Sequence, residues 1–179
     1  MKANTDFEFL KDVYAAARNK YKPRRIETLL VAEGPPDNLE RYFYFEDVKT
    51  QDSLFLEIMG VLYPEQKKRY LASGRETALK AELLEMFQED GFWLLEVAEV
   101  PQSVSNQGLE DCLPSFLQQL QKTANHQTPI ILIKANVYDL CYPVLISEGY
   151  NVAPERLPFP GSGQQKVFRE KFRKVLKNE

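Results

Sequence analysis

Three short apolar runs, residues 26–32, 92–97 and 129–134, are separated by long stretches in which apolar residues recur at helical spacing. Runs that are nearly continuous rather than alternating suit strands buried on both faces, the condition of a central parallel sheet. Parallel neighbours need a crossover of a dozen or more residues, and the helical stretches supply it. A fourth run at 150–157 completes the expectation of a three-layer α/β/α sandwich around a short, mainly parallel four-stranded sheet.

The helices can be placed from their stripes. Phe7, Leu10, Val13, Tyr14 and Ala17 form an opening helix that stops before Lys22-Pro23, because proline disfavours helical geometry in the residue before it. Leu54, Phe55, Ile58, Met59 and Leu62 make a second helix, and Leu79, Leu83, Met86 and Phe87 a longer one, with Pro64 and Gly74 as punctuation between them. Further stripes start at Leu109 and Val137, and a last helix over about 164–176 carries Phe168, Phe172, Val175 and Leu176. No repeat or low-complexity tract divides the chain, so 1–179 reads as one domain, large enough at 44% hydrophobic content to bury a core.

Composition narrows the functional classes. The apolar runs are too short to span a bilayer, and the amino terminus lacks the basic-then-apolar layout of an export signal, so a cytoplasmic setting without membrane partners is expected. Cys112 and Cys141 fall on apolar stripes and His126 is the one histidine, a set that cannot build a zinc or iron–sulfur site unaided; no metal and no cofactor are expected. A net charge of -3 means that any nucleic acid must be met by a local patch. The candidates are Arg18, Lys20, Lys22, Arg24 and Arg25, and Lys166, Arg169, Lys171, Arg173, Lys174 and Lys177, although solvated faces are the ordinary explanation of such runs.

Ligands of open parallel sheets lie beyond the carboxyl ends of the strands, where loops diverge and helix amino termini point into the crevice. The first such segment places Glu33, Gly34, Pro35 and Pro36 at a strand end, followed by Arg41 and the rings of Tyr42, Phe43 and Tyr44 as stacking surfaces for a base. If that segment is extended, Tyr42 and Tyr44 share the site face while Phe43 and Phe45 face the core. In the second segment, Glu96 and Glu99 follow a buried strand, where a glutamate either pairs with a cation or works as a base. The third runs through Pro158, Phe159, Pro160, Gly161, Ser162 and Gly163 to the last helix, with Lys166 close behind. Its glycine amides and the helix dipole suit a phosphate, and a rigid connection with a serine cap is the plainer alternative.

Together, the strand ending in Val31-Ala32-Glu33-Gly34-Pro35-Pro36, the aromatics at 42–44 and the loop at 157–162 resemble the uracil-DNA glycosylase superfamily, over roughly residues 26–176. In that superfamily the first motif handles the attacking water, a nearby aromatic stacks on the extruded uracil, and a late His-Pro-Ser-Pro-type loop meets the base and its phosphate. The resemblance matches Glu33 to the acidic residue of the first motif and Pro35 to its proline, and gives Tyr44 or Phe43 the stacking role. Glu96 falls where a base-reading asparagine often stands, and residues 158–160 or 160–162 fall in the late loop. The late-loop histidine is missing, its place taken by Leu157 or Phe159, and Glu96 offers an acceptor alone when ionised.

The implied activity is cleavage of an N-glycosidic bond of a damaged or deaminated base in DNA. Glu33 or Glu96 would orient or deprotonate water, and Ser162 with the Gly161 and Gly163 amides would hold a phosphate. Two alternatives stand beside it: a nucleic-acid- or nucleotide-binding module without chemistry on the same fold, and an enzyme for a small phosphate-bearing molecule.

Overall fold

Strand β1 (Thr28–Ala32) is buried along its whole length and pairs in parallel with β2 (Phe92–Glu96) on one side and β3 (Ile130–Leu132) on the other, giving the order β2-β1-β3. Leu30 stands opposite Leu94 and Ile131, so the strand ends are in line and their carboxyl termini open on one side of the sheet. Full burial of Leu29, Leu30 and Val31 contributes roughly 1.5–3 kcal/mol each, which fixes this register. The computed structural model describes residues 2–37, 40–161 and 163–177.

Helices cover both sides of the sheet. In chain order they are α1 (Lys2–Lys20), α2 (Ser53–Leu62), α3 (Pro64–Ala72), α4 (Thr77–Glu89), the short α5 (Gln102–Ser105), α6 (Leu109–Thr123), α7 (Ala135–Ser147) and α8 (Gln165–Lys177). Helix α4 packs on β2, α7 on β3, and α8 on α2, where a 2.6 Å ion pair joins Arg169 to Glu57. On the basic face of α8, Lys174 pairs with Glu155 and Lys171 donates to the Arg156 carbonyl. Both cysteines are free and buried, and packing pushes the Cys141 thiol up to about 12.

The sheet has three strands among the described residues, not the four expected. Residues 150–157 do run beside β3, but they make only two isolated parallel bridges, Val152 with Ile130 and Leu157 with Ile133. Pro154 and Pro158 lack the N–H groups that a continuous ladder would need, so pairing stops after each contact. Helix α3 is also additional to the expectation: Pro64 starts it at the first helical position, and Tyr70 is its buried residue, so it carries no apolar stripe to read. No helix among the described residues is long and apolar enough to cross a membrane.

Candidate active site

The three strand ends converge on a cleft of about 360 Å³, at the lower end of the usual range for ligand pockets of about 300–1,000 Å³. Glu33 enters it from the end of β1, Glu96 from β2, and Lys134 from just beyond β3; Pro35, Arg41, Tyr42, Phe43, Asp52 and Phe159 complete most of the wall. Pairing continues past the strands, with the Ala98 N–H donating to the Glu33 carbonyl at 2.9 Å, so the first loop leaves the sheet in a fixed direction. Gly34 is needed here, because a Cβ would lie 3.1 Å from that of Ala98.

Glu33 and Glu96 sit in different surroundings. Glu33 is half-buried; Lys134 donates to its Oε2 and the Asn136 amide to its Oε1 at 2.5 Å. Glu96 is only 3% exposed, and both of its side-chain donors, Arg18 at 3.4 Å and the Tyr42 hydroxyl at 3.3 Å, fall on Oε2. Burial pushes its carboxyl up to about 7, against the opposing pull of Arg18 and Tyr42. Desolvation is the largest single influence on Arg18 and works against its charge, but attraction by Glu96 together with Tyr42 and Tyr44 outweighs it and keeps the guanidinium charged. The pair contacts are long and Glu96 is fully enclosed, so the carboxylate is the partner that gives way.

Lys134 and Asn136 carried no signal in the sequence beyond the end of an apolar run. Lys134 adopts φ 87° and ψ 140°, a region that non-glycine residues rarely occupy, before its carbonyl accepts from Tyr138 as α7 begins. Such a conformation costs roughly 1–3 kcal/mol, whereas a partly exposed ion pair returns about 0–1 kcal/mol. The lysine is therefore not held there by the stability of its bond to Glu33.

Asp52 is the other residue that the sequence did not mark. Its Oδ1 accepts from the Phe55 N–H at 3.3 Å as the amino cap of α2, and its Oδ2 has no hydrogen-bond partner among the described residues. Burial raises its carboxyl pKa. Beneath this wall Lys80 is fully enclosed, donating to the Tyr42 carbonyl at 3.4 Å and lying 4.3 Å from the centre of the Phe55 ring. Desolvation lowers it to about 8.

The aromatic segment differs from the extended reading. Phe45 N–H donates to the Tyr42 carbonyl, a turn that abolishes the alternation of faces, and Tyr42, Phe43 and Tyr44 are all buried. Tyr42 and Phe43 each show a part of the ring to the cleft, while Tyr44 lies behind it and exchanges two bonds with the backbone of Leu94 on the open edge of β2. Tyr44 is therefore a sheet-edge residue in this arrangement, not a stacking platform. Phe159, 43% exposed, is the ring on the cleft with a free surface.

The late loop contributes that ring to the cleft and little else. Pro158, Pro160, Gly161, Gly163 and Lys166 are not part of the wall, and Ser162 lies outside the described residues. The Gly161 N–H donates to the Phe159 carbonyl at 2.8 Å, so it is taken by the loop itself instead of being left for a phosphate. Lys166 is exposed on α8, 3.9 Å from Glu170. Glu99 pairs with Lys11 at 2.9 Å, and His126 stacks on Tyr150 away from the cleft.

Among the described residues the wall carries four carboxyl groups, Glu33, Asp37, Asp52 and Glu96, and two cations, Arg41 and Lys134, with Arg18 behind Glu96 and Lys80 behind Asp52. Carboxyl groups facing the cleft suit a substrate in which positive charge develops. No group of three or more potential metal ligands occurs among the described residues. Comparison with family models, with characterised proteins and with solved structures finds no match to this chain.

Proposed function

We propose that the cleft hydrolyses an N-glycosidic bond, in the manner of the uracil-DNA glycosylases that its first motif resembles, releasing a damaged or deaminated base from DNA. The observation that carries this reading is the pair Glu33 and Glu96, two carboxyl groups at adjacent strand ends on one base-sized cleft, the first held by Lys134 and Asn136 and the second enclosed and pushed up to about 7. Breaking the bond leaves positive charge on the sugar, which an acidic wall stabilises. Glu33, steadied by Lys134 and Asn136, is placed to accept a proton from the attacking water. Glu96, part-protonated near neutral pH, donates a hydrogen bond to the departing base. That bond takes over what the absent late-loop histidine would give, a contact worth roughly 3 kcal/mol in other active sites.

Phe159 is the natural surface for a base to lie against, and Arg41 is the exposed cation on the wall for an adjoining phosphate. The test is incubation with single- and double-stranded oligonucleotides carrying uracil, hypoxanthine or a mismatched thymine, followed by detection of alkali-labile sites. Strand breaks at the modified position on at least one substrate are expected. Salt-sensitive binding without breaks would leave a binding module, and no binding at low salt would leave a small-molecule site.

A further inference from the structure

We infer that Lys134 is an amine nucleophile that condenses with the aldehyde of a sugar in the cleft, a second activity beside hydrolysis. The substrate class rests on the reading above, because a sugar freed of its base opens to an aldehyde at the carbon that had carried it. The choice of residue rests on separate observations. Lys134 lines the cleft that holds Glu33 and Glu96, with its amine on the Glu33 carboxylate, and stands on a strained backbone whose cost exceeds what its ion pair returns. Functional sites are where such strain persists, and an amine held against a carboxylate in a pocket has the two groups that imine chemistry needs. Asn136 holds the far oxygen of Glu33, so the near one stays turned to Lys134.

The step balances within this pair. Glu33 takes a proton from the ammonium group, and the freed lone pair of Nζ adds to the aldehyde carbon as the carbonyl π bond breaks toward oxygen. The amine loses a second proton to that oxygen; Glu33 then returns its own, and the oxygen leaves as water while a C=N bond forms. Ammonium and aldehyde have become iminium and water, and no oxidant or reductant is consumed.

Borohydride trapping tests this directly. The full chain is mixed, in separate reactions, with a duplex oligonucleotide containing one preformed abasic site and with 2-deoxyribose alone; sodium cyanoborohydride is added and the adduct is mapped by peptide mass spectrometry. Modification of Lys134 about tenfold above the average of the other lysines is expected, lost in Lys134→Arg, which keeps the charge and the fold, and slowed about 100-fold in Glu33→Gln. Trapping of deoxyribose but not of the oligonucleotide would keep this inference and remove DNA as the substrate. No adduct with either probe, an adduct spread evenly over the lysines, or one that survives in Lys134→Arg would overturn it, even if base release were observed.

Discussion

Replacing Glu96 by glutamine tests the acid assigned to the cleft without needing a substrate. The wild-type carboxyl stands at about 7 in the folded protein against 4.5 as its ordinary value. The folded state therefore holds this proton more tightly than the unfolded chain. Between pH 4.5 and 7 the folded state binds more protons, so stability falls as pH rises, and the cost is complete above about pH 7. At 1.36 kcal/mol per unit, the fall from pH 5 to pH 8 is on the order of 2–3 kcal/mol. Glutamine is neutral throughout and lacks this slope. Glutamine gives Arg18 no anionic partner at any pH, whereas the wild-type residue becomes one only as it ionises, so the informative quantity is the difference in slope and not the absolute stability. Urea unfolding of both proteins at pH 5 and pH 8 reads it: the wild type should lose on the order of 2–3 kcal/mol more than Glu96→Gln. Parallel behaviour of the two would mean that the Glu96 carboxyl is not perturbed, and the donor to the departing base would be lost with it.

Three further substitutions probe the supporting structure. Lys80→Met should raise stability at pH 7 by up to about 3 kcal/mol, because the lysine is charged there against a folded-state value of about 8; the advantage should disappear between pH 8 and 10.5, as wild-type urea midpoints would show. Tyr44→Phe leaves the buried N–H and C=O of Leu94 without their hydroxyl partner and should cost about 3 kcal/mol by the same measurement. Lys134→Gly should be more stable than Lys134→Ala by about 1 kcal/mol, or about 3 °C in thermal midpoint, reversing the usual order because glycine relieves the positive φ. An alanine variant that melts higher would place no strain at that junction.

The layered α/β architecture was legible because its causes are local. Continuous apolar runs mark strands enclosed by helices, and the stripes at Leu54–Leu62, Leu109–Leu120 and Phe168–Leu176 mark the helices themselves. The fourth strand misled because its apolar residues are buried as expected while its prolines forbid the ladder, and burial is all that an apolar pattern reports. Within the cleft, Glu33, Glu96 and Arg41 were readable from their places at strand ends. The aromatics were not: their assignment to faces depended on an extended backbone, and a single turn at Tyr42 put all three rings under cover. Lys134 and Asn136 could have been suspected only from their position just past the third strand, since the carboxyl end of every strand in such a sheet borders the same crevice. The strain at Lys134 and the enclosure of Asp52 and Lys80 arise from contacts distant in sequence, and no local pattern records them.

Glu33 is the residue proposed to act on water in this cleft. Base release under single-turnover conditions, from whichever modified oligonucleotide the wild type cleaves, measures it when repeated with Glu33→Gln. A loss of about 100- to 10,000-fold in the cleavage rate with folding intact is predicted for a carboxylate acting as a base. An unchanged rate in the glutamine variant would remove Glu33 from the reaction.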